Sequence, residues 1–399
     1  MAEKEEGEDI EDLLMKNIYN EKDIENYTGI KIYKSLDYIS TNNYYKEKFS
    51  KGIYKELFLH KKRIYSMDWL ENNSNTFLVT GSSDSFIKVW DLNIALNSSG
   101  KQNSSSINPI LSINTHSDII NISSRNNHEG QFISSSIDKH IKFWDIRTNL
   151  SKSNNNKLNI CKFSNDKIEK DEIKHLKFNN SGNEFSFINK EGNTLFIYDF
   201  GKFEEIQHIN FKSNINDLVF SNNDDQILAA CEDGNVYLTN IKTNNNNNIN
   251  NNIINNNNKA ISGSKFPLYT IDIDKKNKYF ITGGSYGILI NYNIDELMSC
   301  KTYKRSDQGI RQVMYNYDDK FIATIYDGKN IDFFSTELDD HIFTIFTNNI
   351  QHFIKWNKKR NILGYVSDEK KNEDTKNKKN EEGKNISEGY AHFFIIPNL

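Results

Sequence analysis

Residues 64–92 read IYSMDWLENNSNTFLVTGSSDSFIKVWDL, and their order of parts decides the fold. A short apolar run ends in the aromatic Trp69. A polar turn follows, then FLVT, then the turn GSSDS, then FIKVW closing on Asp91. Strand-length apolar runs separated by Gly, Ser, Asn and Asp indicate β-strands joined by tight turns. The pattern returns in IINISSRNNHEGQFISSSIDKHIKFWDI at 119–146. It returns again at 173–200, 215–241, 268–294 and 310–336, and last at QHFIKWNKKRNILGYVSDEK from 351 with YAHFFIIPNL at the end. No long segment of helical period interrupts these copies.

Seven copies of a three-strand pattern ending in Trp-Asp or a relative predict an all-β fold, a seven-bladed WD-repeat β-propeller. Residues 53–399 hold it, less inserts near 93–108, 149–159, 243–262 and 367–387. What remains is about 40 residues per blade, the size such blades have. The strand IYKELFL at 53–59 has no blade of its own, and the last copy lacks a fourth strand. The N-terminal strand is therefore expected to complete the last blade and close the ring, which leaves fewer open edges.

Composition bounds the rest. The 399 residues carry 50 Lys+Arg and 54 Asp+Glu, a net charge of -4, which argues against bulk polyanion binding. Residues 1–12 hold seven acids against Lys4, so the remainder sums to about +2. Residues 1–52 read as an acidic N-terminal arm, helical or disordered, with helix-compatible runs over 8–39. The inserts are rich in Ser and Asn or, at 368–384, in Glu, Asp and Lys, and read as solvated surface loops. Cys161, Cys231 and Cys300 are scattered, so neither a disulfide framework nor a CxxC metal site is expected. No apolar run is long enough for a membrane span.

Candidate residues fall into two groups. In WD repeats a His, a hydroxyl, an Asp and a Trp form a buried hydrogen-bonded tetrad, which is stable only when every member is satisfied. The first copy offers His60, Thr80, Asp84 and Trp90, and the second His116, Ser134, Asp138 and Trp144. Tyr198, Thr239, Tyr292 and Phe334 stand at the Trp position of later copies. The second group lies around the starts of the innermost strands, where loops of all blades converge on the channel mouth. It comprises Arg63, Tyr65, Asn121, Lys174, Asn216, Tyr269, Arg311 and His352. Arg and Tyr are favoured in interaction hot spots, so this mouth is the expected partner-binding surface.

No GxGxxG turn, P-loop, GxSxG or HExxH occurs, and the nine His are dispersed. The expectation is a non-enzyme with no catalytic residue, metal, cofactor or small-molecule substrate. Lys61-Lys62-Arg63 and Lys358-Lys359-Arg360 are basic clusters that could meet phosphates, but Trp356 beside the second occupies a core position.

The second half carries a more specific pattern. Tyr279-Phe280-Ile281-Thr282-Gly283-Gly284 is followed by Tyr292-Asn293-Ile294-Asp295-Glu296-Leu297. Then come Arg311, Asp319-Lys320-Phe321-Ile322-Ala323, Asn330-Ile331-Asp332, the run Trp356 to Tyr365, and a terminal Phe394-Ile395-Ile396-Pro397-Asn398. In this order the chain resembles the THO complex subunit 3 family of WD-repeat proteins over about 53–399. It departs at Tyr292-Asn293, where the family has Trp-Asp, at Lys358, where the family has Pro, and in its acidic arm. The resemblance implies a scaffold subunit of a nuclear THO/TREX complex acting in mRNA packaging and export. It implies docking on a large helical subunit and mostly indirect RNA contact. The alternative is an unrelated WD-repeat adaptor, such as a ubiquitin-ligase substrate receptor or a ribosome-assembly factor.

Overall fold

The computed structural model describes residues 33–70, 77–93, 108–115, 117–147, 161–163, 172–241, 259–369 and 388–397. Its strands form seven four-stranded antiparallel sheets, a seven-bladed β-propeller. Six blades are consecutive in sequence, their innermost strands being Ile64–Trp69, Ile119–Ser124, Ile173–Phe178, Ile215–Phe220, Leu268–Ile273 and Ile310–Tyr315. The seventh joins Gln351–Trp356, Ile362–Glu369 and Glu388–Ile395 to Ile53–His60 from the other end of the chain. The register Ile53↔Ile395 to Leu57↔Ala391 makes that strand the outer edge of blade 7 and closes the ring. Lys259–Ser262, read as the end of an insert, is instead the outer strand of blade 4.

Apolar residues in these strands do not simply alternate with polar ones, because each blade is covered on both faces. In Phe321–Tyr326 of blade 6 all six residues are buried. Phe321, Ala323 and Ile325 pack toward blade 7, whereas Ile322 and Tyr326 pack toward blade 5. Among the described residues the buried apolar side chains accordingly form seven clusters, one at each blade junction.

The inner strands leave backbone groups without a strand partner on the side of the preceding blade, and unpaired buried amides are costly. Polar side chains of the preceding blade satisfy them. Ile122 N donates to Ser66 Oγ and Ser124 N to Asp68 Oδ2. Phe178 N donates to Ser123 Oγ, Ile271 N to Asp217 Oδ2 and Ile354 N to Gln312 Oε1. Between blades 3 and 4 the direction reverses: Lys174 and Lys177 donate to the carbonyls of Ile215 and Leu218.

Helix α1, Tyr33–Ser50, precedes the closing strand. Its Tyr45 and Phe49, one turn apart, are buried in the junction of blades 6 and 7. Phe49 meets Phe321 and Phe333 with ring centroids 5.1 Å away, and Tyr45 Oη donates to Glu337 Oε2. The segment read as an arm at 1–52 thus contributes a packed helix. Of the helix-compatible run at 8–39, residues 8–32 lie outside the described residues.

Candidate functional site

Each inner strand carries a β-bulge at its second residue, as between Ile64 and Ser66 or Ile310 and Gln312. A bulge turns one side chain out of the regular alternation. Six of the eight mouth residues, Tyr65, Lys174, Asn216, Tyr269, Arg311 and His352, occupy this position. In blade 2 the position belongs to Ile120, and Asn121 is one residue further on. Arg63 immediately precedes its strand and lies over the Tyr65 ring, 5.4 Å from its centroid.

These residues link blades in series. Asn121 Nδ2 donates to Ile173 O and Lys174 O, Lys174 Nζ to Ile215 O, and Asn216 Nδ2 to Leu268 O. Arg311 joins Asp327 Oδ1 at 2.6 Å and His352 Nδ1 at 2.9 Å, spanning blades 6 and 7. Tyr65 and Tyr269 remain about 40% exposed. On the same face Phe266 and Tyr286 meet with centroids 3.9 Å apart and planes tilted by 38°, both exposed. Sequence reading passed over this pair. Phe266 precedes an inner strand and Tyr286 sits in a strand turn, so their meeting depends on how blade 5 closes. The mouth is therefore a ring of Arg, Lys, His and Asn beside an aromatic patch.

The tetrad residues lie away from this mouth's open surface. His60 Nδ1 donates to Asp84 Oδ2 at 3.0 Å, Thr80 Oγ1 donates to His60 Nε2 at 2.7 Å, and Trp90 Nε1 donates to Thr80 Oγ1 at 2.8 Å. Burial lowers the His60 pKa against the pull of Asp84, so the ring is neutral. In blade 2 Trp144 Nε1 donates to Ser134 Oγ, whereas Asp138 takes Lys142 Nζ at 2.6 Å. His116 lies outside the described residues.

The opposite end of the channel, where inner strands turn into second strands, holds a cavity of about 530 Å³. Its wall includes Asp68, Lys177, Asp272, Lys275, Asp319, Lys355, Trp356 and Lys358. Asp68 and Asp272 occupy equivalent positions but differ electrically. Burial raises the Asp68 pKa, yet Lys355, Lys358 and Ser124 outweigh it and hold it low. Burial dominates at Asp272 and pushes it up to about 6. Lys358 Nζ of blade 7 reaches past blade 1 to Ser124 Oγ and Asn126 Oδ1 of blade 2.

Among the described residues no group of three His, Cys, Asp or Glu is placed to hold a metal ion. Nor is any described helix long and apolar enough to cross a membrane.

Comparison with known proteins places these features. Residues 53–91 match the model of the WD domain, G-beta repeat, and residues 116–266 that of the NUP159/214 beta propeller. THO complex subunit 3 of Arabidopsis thaliana is 20% identical over 312 residues, 78% of this chain and 88% of that protein. A ribosome biogenesis protein WDR12 homolog of Drosophila mojavensis is 32% identical over 90 residues, 23% of this chain and 18% of that protein. The fold is thus a WD-repeat β-propeller, an architecture that serves chiefly as an interaction scaffold.

Proposed function

We propose that this propeller is a non-enzymatic scaffold subunit of a THO/TREX-like nuclear complex, acting in mRNP assembly and in mRNA export coupled to transcription. The observation that carries the reading is the span of its likeness to THO complex subunit 3, which covers 88% of that protein. A shared repeat alone would align over one or two blades, as the 90-residue match does. The mouth of Tyr65, Tyr269, Arg311 and His352, with Arg63, Asn121, Lys174 and Asn216, is the surface that docks on a large helical subunit. RNA is then met mainly through partners.

A tagged chain purified from nuclear extract, with and without nuclease, tests this. Stoichiometric THO subunits that survive nuclease are expected, and Arg311→Ala with Tyr269→Ala should deplete them. A ribosome-assembly adaptor is the second reading, favoured by the shorter match. Recovery of ribosome-assembly factors in place of THO subunits would replace the first reading by the second.

A further inference from the structure

The turn-face cavity contains cations and carboxylates in similar number, but they are engaged differently. Asp68 Oδ2 accepts Ser124 N and Oγ, Asp272 Oδ2 accepts Tyr315 N, and Asp319 accepts Lys275 N. All three carboxylates are acceptors for the backbone of a neighbouring blade and form part of the ring's own fastening. Lys177 and Lys275 are less committed. An ammonium carries three N–H donors. Lys177 uses one on Leu218 O, Lys355 pairs with Asp68 at 3.5 Å, and Lys275 lies over the Tyr317 ring. Lys358 bridges to Ser124 and Asn126 across the cavity wall.

We propose that this cavity is a second docking site, which takes a carboxylate-rich segment of a partner protein bearing apolar side chains. The lysines come from blades 3, 5 and 7, so they are spread round the rim and do not converge on one point. Spread ammonium groups suit several separate carboxylates. A single phosphate would be better served by a convergent cluster or by the fork of an Arg, and no Arg lines the cavity. Half-buried Ile273, Met314 and Tyr317 in the same wall give apolar side chains a surface. This site lies at the other end of the channel from the mouth assigned above and does not depend on that assignment.

The test uses the full chain and a fluorescein-labelled dodecapeptide of alternating Glu and Leu, followed by fluorescence anisotropy. Saturable binding that weakens as salt rises is expected, because the attraction is ionic. Lys355→Gln with Lys358→Gln should weaken it about tenfold or more, as loss of paired charges in a partly desolvated site does. Lys61→Gln with Lys62→Gln, on the mouth face, should leave it unchanged. Since Lys358 fastens blade 7 to blade 2, Lys275→Gln is the second variant: it is exposed, its ammonium touches the next blade only over the face of the Tyr317 ring, and it should weaken binding several-fold. Melting temperatures of all variants identify any that fail to fold. Absence of saturable binding overturns the proposal, as does binding indifferent to both cavity variants. Displacement of the peptide by tripolyphosphate at equal concentration also overturns it, in favour of a phosphate site.

Discussion

Tyr54 lies directly opposite Phe394 in the outer pair of blade 7, with ring centroids 4.8 Å apart, although the two stand near opposite ends of the chain. Phe394 is wholly buried and also touches Phe49, Phe333 and Phe343. Tyr54 is half exposed. Phe394→Ala should therefore cost about 3–5 kcal/mol of folding stability. Tyr54→Ala, which opens no enclosed cavity, should cost about 1 kcal/mol. Urea unfolding measures both. Equal costs would mean that ring closure rests on backbone pairing and not on this aromatic knot.

Helix α1 is held to the propeller by few contacts, so one residue should decide whether it docks. Phe49 is fully buried between blades 6 and 7. Phe49→Ala should cost about 3 kcal/mol and expose residues 39–52 to limited proteolysis. Tyr45→Phe removes only the hydroxyl bond to Glu337 and should cost about 1 kcal/mol without new cleavage. Cleavage in both variants, or in neither, would contradict this division of labour.

The blades were legible in the sequence because each is a local unit, and their closure because 53–59 had no blade of its own while the last copy lacked a fourth strand. A blade's strand lengths, turns and terminal aromatic all lie within about 40 residues. Helix α1 lies within the arm read as helical or disordered, but its docking was not legible, because its docking face is only Tyr45 and Phe49, too sparse a stripe to show as helical period. The outer strand Lys259–Ser262 was lost inside Asn-rich sequence, since its pairing with Asn235–Leu238 fixes it and not its own composition. Strand starts were legible, and six of the eight candidates named from them fall at the bulge, with Asn121 one residue beyond it; the bulge itself has no signal in the sequence. The Phe266–Tyr286 patch arises from the closure of blade 5 and the turn-face cavity from the meeting of several blades, and for neither does the sequence hold a local signal.

The His60 network should be the more consequential of the two tetrad sites. His60→Ala takes one buried partner from Asp84, which keeps the Lys61 and Phe86 amides, and one from Thr80, which keeps Trp90 Nε1, and should cost about 2–3 kcal/mol. Its acid dependence has a definite sign. Burial lowers the folded pKa below the ordinary 6.5, so the unfolded chain binds the extra proton more readily. Stability contributed by neutral His60 is present above about pH 6.5 and is lost as pH falls below it. Urea midpoints from about pH 8 to about pH 5 should fall less steeply in His60→Ala than in the parent. Parallel curves would show that His60 does not carry this dependence.

Asp272 gives the opposite slope. Burial pushes its pKa from 3.8 up to about 6, although Lys177, Lys355 and the amides of Tyr315 and Ile273 pull the other way. Between these values the folded chain binds the proton more tightly than the unfolded one. The stabilising contribution is therefore complete below about pH 3.8 and is lost as pH rises through about 6. At neutral pH the ionised carboxylate is a cost, reduced because Asp272 lines an open cavity and is partly exposed to water. Asp272→Asn keeps an acceptor oxygen for Tyr315 N and removes the charge. It should stabilise the protein by about 1 kcal/mol at about pH 7.5 and change little near pH 4. Thermal unfolding at the two pH values measures this. Destabilisation at neutral pH would mean that the ionised carboxylate, held by its amide bonds and the facing lysines, is the form that the propeller requires.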